Sequence, residues 1–211
     1  MSLLERRRAL MSQTGEKYVF VEYIESTGTQ YIDTGFIPNQ NTILTADYQY
    51  TSYATTSSLV GVRGNGSDAY HNMYVIWVRN NNLELSHGVA LNQIITQADT
   101  SRHLLARNKG TIYIDGNIAI GFGATETFTS CYTLEVFACN NNGTKGAWCS
   151  KMKLYSLKIY SGGTTVTNSV LVRDFKPCYR KSDKVAGLYD AVNDVFYENR
   201  GTGEFLIGGE L

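Results

Sequence analysis

Residues 111–160 constrain the fold of this chain more than any other stretch. The segment opens Thr111-Ile112-Tyr113-Ile114-Asp115-Gly116-Asn117-Ile118-Ala119-Ile120. Two short β-branched runs around an Asp-Gly-Asn turn signal predict a β-hairpin. A three-residue loop at 115–117 sets Ile114 opposite Ile118 and Ile112 opposite Ile120, with all four on one face. A two-residue loop on Gly116-Asn117 would instead set Ile114 opposite Ala119 and turn Ile118 and Ile120 away. A slip of one residue flips every side chain, so the apolar pattern favours the first register. Residues 133–138, Thr-Leu-Glu-Val-Phe-Ala, read as a further strand, and after a wide polar loop so do residues 152–160. There the alternation slips between Leu154 and Leu157, which predicts a bulge near Tyr155-Ser156 or burial on both faces. Two successive hairpins that each need a dry face require a second sheet to pack on. The expected fold is therefore all-β, a two-sheet antiparallel β-sandwich.

The rest of the chain agrees. Ser2 with Glu5 forms a capping box, and Leu3, Leu10 and Met11 share heptad-like spacing, so a short helix is expected over 3–12 with Arg6-Arg7-Arg8 beside its apolar stripe. It reads equally as a docking or oligomerising handle and as a frayed terminal helix, since so short a helix is marginal in water. With the linker at 13–17 it makes an N-terminal segment of 1–17, followed by a single domain over 18–211. Residues 18–24 and 29–33 are strands around a turn at 26–28. Residues 42–50 alternate, with Leu44, Ala46, Tyr48 and Tyr50 on one side. Residues 73–78 are apolar throughout, the pattern of a central strand covered on both faces, which places Trp77 in the core. Shorter runs at 58–62, 83–86, 102–106, 166–175, 185–189, 195–197 and 204–207 bring the total to roughly a dozen strands, a number that suits a two-sheet jelly roll. No helix pattern follows the glycine-rich 61–66, so it is a loop rather than a phosphate cradle.

Charge and cysteine usage exclude several functions. The 19 basic and 19 acidic side chains cancel, which argues against a nucleic-acid partner that needs phosphate neutralised and against a polybasic membrane-surface protein. No apolar run approaches the ~18 residues of a membrane span, so no membrane insertion is expected. The N-terminus lacks the apolar stretch of a secretory leader, which predicts a protein made in the cytoplasm that leaves, if at all, by a route such as lysis. Cys131, Cys139, Cys149 and Cys178 form no Cys-x-x-Cys pair, and His71, His87 and His103 are not at ligand spacing beside them, which argues against a structural zinc site. Cys139 and Cys149 flank one loop, leaving their pairing open, and buried free thiols are the plainer expectation. Asp68, Asp115 and Asp190 are calcium candidates without an EF-hand spacing, so the metal question stays open and no cofactor is expected.

Catalytic groups are sparse. Glu84 has no acidic residue at 82 or 86, Glu22 and Glu25 lie on opposite faces, and Glu126 and Glu135 fall in different elements. No Gly-x-Ser-x-Gly is present. No catalytic residue is assigned, and the chain reads as a non-enzyme. Sugar binding is better supported, because it needs aromatic faces with amides, carboxylates and guanidinium groups on rigidly held loops. Two loops carry that mixture. One holds Arg63, Asn65, Asp68, Tyr70 and His71; the other holds Asn140, Asn141, Asn142 and Trp148, with Trp148 as a partly exposed platform. The alternative for each is a solvated turn.

Three groups of residues carry a family resemblance. Residues 112–116, 134–137 and 152–160 in that order look like the core of concanavalin A-like and laminin-G-like jelly rolls. Glu22-Tyr23-Ile24-Glu25-Ser26-Thr27-Gly28-Thr29-Gln30-Tyr31-Ile32-Asp33-Thr34-Gly35 near the start, and Val172-Arg173-Asp174-Phe175-Lys176-Pro177-Cys178 with Gly187-Leu188-Tyr189-Asp190 near the end, resemble lectin-like proteins of phages and prophages of gut bacteria. The opening at 3–11 is similar to the starts of such virion proteins. The resemblance implies a tail or fibre module that recognises the host, with a bacterial surface glycan as ligand, other virion proteins as partners through the N-terminal helix, and a homo-oligomer as a possible assembly. It also implies a virion location reached by lysis. A purely structural virion subunit is the second reading, and a glycan hydrolase or lyase the third. The carboxylates of glucanases on this fold have no counterpart here.

Overall fold

The alternation expected over residues 42–50 is realised from Leu44 onward, whereas Ile43 is buried as well. Leu44, Ala46, Tyr48 and Tyr50 are all at most 3% exposed and point into one core, with their neighbours on the wet face. This computed structural model describes residues 17–121, 123 and 126–211. The expected helix at 3–12, with its arginine run, lies outside the described residues.

In chain order the strands are β1 (Tyr18–Phe20), β2 (Ile24–Thr27), β3 (Ile32–Asp33), β4 (Ile43–Ser52), β5 (Thr56–Arg63) and β6 (Met73–Arg79). Next come β7 (Asn82–Gly88), β8 (Ala90–Gln97), β9 (Arg102–Asn108), β10 (Thr111–Ile114), β11 (Asn117–Gly121) and β12 (Glu135–Val136). The remainder are β13 (Cys139–Asn141), β14 (Thr144–Ala147), β15 (Lys151–Ser161), β16 (Val170–Arg180), β17 (Ala186–Asp190), β18 (Val195–Glu198) and β19 (Leu206–Ile207). One sheet runs β11-β10-β9-β4-β15-β16-β17-β18, with β1 on β16, and β2 on β15 carrying β19. The other runs β14-β13-β5-β6-β7-β8, with β12 on β5 and β3 on β12. Pairing is antiparallel except that β13 runs parallel to β5. The sheets stack face to face as a sandwich. Met152, Leu154, Leu157 and Ile159 of β15 and Phe175 of β16 belong to the same core cluster as Val60, Val62, Tyr74, Ile76, Val78 and Leu85 of the second sheet. The bulge expected near Tyr155-Ser156 is present, as a register shift against β4 between Leu154 and Ser156.

Four expectations are corrected. The β10–β11 hairpin adopts neither register read from the sequence. Ile112 does face Ile120, but Ile114 faces Asn117 and Tyr113 faces Ile118, so Ile118 is 68% exposed. The loop is the two residues Asp115-Gly116, at φ 50° and 81°, the doubly left-handed turn whose twist matches a hairpin. The extra residue that the isoleucine spacing demands is absorbed beyond the turn, at a bulge that leaves Ala119 without a partner. Asp115 is also held from outside the hairpin. Its carboxylate accepts from the Leu104 amide at 2.8 Å and meets His103 Nδ1 at 2.7 Å, while Asp99 meets Nε2 at 3.0 Å. Burial alone would lower the His103 pKa, but these two carboxylates outweigh it and hold it above its ordinary value.

The strand read over 133–138 is only β12, because Phe137 sits at φ 67° and turns the chain back. Before the turn β12 pairs antiparallel with β5, and after it β13 pairs parallel with the same strand, both reaching Gly61. Glycine is required there: a Cβ on Gly61 would lie 2.7 Å from Cys139 Cβ. The third correction concerns the thiols. All four are free, but only Cys139 and Cys178 are buried, Cys149 is half-buried and Cys131 is exposed. Residues 166–168, read as strand, form a single 3-10 turn ahead of β16.

Candidate functional site

Strand β6 is apolar on both faces, as expected, and its two faces do different work. Tyr74, Ile76 and Val78 belong to the main core, whereas Met73, Val75 and Trp77 form a separate cluster with Cys139 on the outer face of the second sheet. Trp148 packs against that cluster, its ring edge-on to Trp77 with centroids 5.4 Å apart. Trp77, only 2% exposed, is thus buried as expected, but in an outer layer next to the predicted loops.

The two loops form one surface. Parallel pairing of β13 with β5 puts Asn141 beside Arg63, and Arg63 Nε donates to Asn141 Oδ1 at 2.7 Å. The Asn142 amide donates to the Arg63 carbonyl at 2.8 Å, and the Gly66 amide donates to Asn142 Oδ1 at 2.8 Å. Gly64, at φ 105°, permits this contact, since a Cβ there would lie 2.8 Å from Asn142 Cα. The Gly64 amide in turn donates to the His71 carbonyl at 2.7 Å, closing the first loop on itself.

Each predicted side chain now has a place. Asn65 Oδ1 accepts from the amides of Ser67 and Asp68, and Asn140 Oδ1 from the amide of Gly143. Asp68 accepts from the Tyr70 amide at 2.7 Å and pairs with His71 Nδ1 at 3.0 Å. Asn65, Asp68, Asn140 and Asn142 therefore shape the loops. Arg63, Tyr70 and Trp148 form the face those loops present. The Arg63 guanidinium lies 4.9 Å from the Tyr70 ring centre, 5.0 Å from Trp148 and 5.7 Å from Trp77. Tyr70 is 53% exposed, whereas Arg63 is only 8% exposed. Trp148, half-buried, is thus one wall of an aromatic box that already holds a cation. Tyr132 was missed from sequence; its ring lies 3.4 Å from where a Cβ on Gly143 would stand and its hydroxyl 3.8 Å from one on Gly66, so it props both loops.

A second missed group lies under the β13–β14 hairpin. Glu135 and Asp33 stand directly opposite each other on β12 and β3, hence on one face. Glu135 is fully buried; its Oε2 accepts from the Gly146 amide at 2.9 Å and its Oε1 has no partner among the described residues. Burial pushes its pKa up to about 7. At Asp33 burial is outweighed by Lys145, at 2.7 Å, and by the Gly35 amide, so its carboxyl is held below the usual range. Carboxylates with split proton affinities are what acid–base chemistry needs. Here Glu135 is sealed from solvent, and the contacts of the pair with Gly146 and Lys145 latch the hairpin bearing Asn140–Asn142. Asp115 and Asp190, named as calcium candidates, are also engaged: Asp115 with His103, and the fully buried Asp190 with the amides of Asp174 and Val192. The described residues hold no cluster of three or more metal-ligating side chains. None of the nine predicted residues lines the cleft of about 240 Å3 between the sheets, walled by Tyr48, Tyr50, Val78, Leu83 and Ile114.

No family model matches the sequence, and no curated protein is significantly similar to it. Among solved structures, a candidate carbohydrate-binding protein from Bacteroides ovatus superposes with a TM-score of 0.60 at 13% identity. The match covers 91% of this chain and 60% of the neighbour, so this chain spans less than two thirds of that protein's length. At that identity the likeness is one of fold.

Proposed function

We propose that the chain is a non-catalytic, lectin-like module of jelly-roll type, and that it binds a bacterial surface glycan on the face where residues 63–72 meet residues 140–148. The observation that carries this reading is the convergence itself. Two loops with sugar-binding composition, some 70 residues apart in sequence, are joined through Arg63–Asn141 and Gly66–Asn142 into one surface with three aromatic rings around a guanidinium. The Bacteroides ovatus neighbour supports it at the level of the fold. The resemblance of 22–35 and of 172–178 with 187–190 to phage proteins supports a place in a tail or fibre, with release by lysis and assembly with other virion proteins.

An array of host cell-wall and capsule glycans, probed with the full chain, tests the reading. Binding lost in a variant that shortens residues 64–71 is the expected result. Stable self-assembly with no binding to any glycan would overturn it in favour of the structural subunit. A specific feature favours that second reading: Leu104 and Ile118, 60% and 68% exposed, are large apolar side chains on the β9–β11 side of the first sheet.

A further inference from the structure

Arg63 is a charged side chain 8% exposed, and among the described residues it makes no ion pair. Taking a guanidinium out of water is costly unless an opposite charge or a full set of acceptors compensates. Three aromatic rings offset part of that cost. The nearest candidate counter-charge in the loop, Asp68, is committed to the Tyr70 amide and His71. Among the described residues only Nε has an acceptor, Asn141 Oδ1, which fixes the plane of the group. Neither terminal nitrogen has a protein acceptor among the described residues, and neither is sealed from solvent. The result is a rigid fork of N–H donors at the mouth of an aromatic box, with neutral amides of Asn141 and Asn142 beside it.

We propose that the glycan recognised here is acidic, and that Arg63 takes the carboxylate of a uronate or similar sugar through both terminal nitrogens. This inference rests on the carbohydrate reading of the same face. A planar carboxylate matches the guanidinium fork with two parallel hydrogen bonds, which a neutral hydroxymethyl group cannot supply. A sugar carboxylate also lies beside the apolar C–H face of its ring, so one residue meets Arg63 while its ring meets the exposed Tyr70. The carboxylate supplies a counter-charge that the described residues do not place against Arg63.

The test titrates the full chain with methyl glucuronide, methyl glucoside and glucose 6-sulfate, following the Trp148 indole N–H by NMR. Charge-assisted bidentate bonding predicts roughly ten- to a hundredfold tighter binding of the glucuronide than of the glucoside, weakening as salt rises. Arg63→Lys keeps the charge but loses the fork and is expected to abolish most of that preference. In case that variant folds poorly, Asn141→Asp places a carboxylate against Nε and leaves the box intact. It is expected to raise the thermal midpoint while reducing glucuronide affinity at least tenfold and glucoside affinity little. Equal binding of glucuronide and glucoside by the folded wild-type chain, or a preference unchanged in Asn141→Asp, overturns the acidic-sugar inference and leaves the carbohydrate reading standing. Tighter binding of the sulfate than of the glucuronide overturns the choice of carboxylate. If neutral and acidic oligosaccharides alike leave the indole unmoved, both readings fall.

Discussion

Trp148 shows how much one side chain's role depends on its neighbours. As a free platform it would be dispensable for folding, and its removal would touch only binding. In the structure it stands edge-on to Trp77 and shelters Arg63. Trp148→Ala is therefore expected to cost about 2 kcal/mol through lost packing and aromatic contact. For a domain this size that lowers the thermal midpoint by roughly 4–8 °C, measurable by calorimetry. An unchanged midpoint would return Trp148 to the role of exposed platform. Glu135 makes a second residue-level prediction. Its folded pKa of about 7 lies above the ordinary value of 4.5, so between those values the native state holds a proton that the unfolded chain has released. Stability from this group thus falls as pH rises from 4.5 through 7, by on the order of 3 kcal/mol at most. Glu135→Gln retains an acceptor for the Gly146 amide without the charge. Denaturant titrations at pH 5 and pH 8 should show the variant gaining on wild type at the higher pH, and parallel curves would refute the assignment.

At the scale of the element, the β10–β11 hairpin illustrates competition between turn chemistry and apolar pattern. The isoleucine spacing asked for a three-residue loop, but Asp115-Gly116 prefers the tight left-handed turn, and the bulge at Ala119 reconciles the two on one side only. Ile112 and Ile120 stay with the core while Ile118 faces water. Ile112→Ala is expected to destabilise by about 2–5 kcal/mol, and Ile118→Ser by no more than roughly 0.5 kcal/mol. A large loss for Ile118→Ser in thermal or denaturant unfolding would mean the hairpin adopts the other register. The β12–β13 reversal follows the same logic. A run that reads as one strand is divided by a left-handed Phe137, because its two halves both pair with β5 at Gly61. Local propensity does not register a pairing partner located 70 residues away.

Across the whole molecule, the chain closes on itself. Val21 bridges Glu210 and the Leu211 amide donates to the Phe20 carbonyl, so the first and last described segments lie side by side on the first sheet. Between the sheets, Arg107 of β9 is fully buried, donates to the carbonyls of Val75 and Ser86, meets His87 Nδ1 at 3.1 Å and lies 3.5 Å from the Tyr74 ring centre. It ties the first sheet to β6 and β7, and burial lowers its pKa to about 10. That staple holds the two layers in the relative position on which the outer-face site depends.

Periodicity along the chain sufficed for the layers: the alternation of 42–50, the two-faced burial of 73–78 and the bulge at Tyr155 all follow from which side chains must leave water, a property each segment carries by itself. Loop composition likewise marked Arg63 and Asn141 before any contact was visible. What no linear pattern holds is which distant segments meet. Whether Arg63 finds an acid, that Trp77 is roofed by Trp148, and that Asp33 and Glu135 share a face were settled by strand order and by the parallel return of β13, since such contacts depend on pairing between residues far apart in sequence.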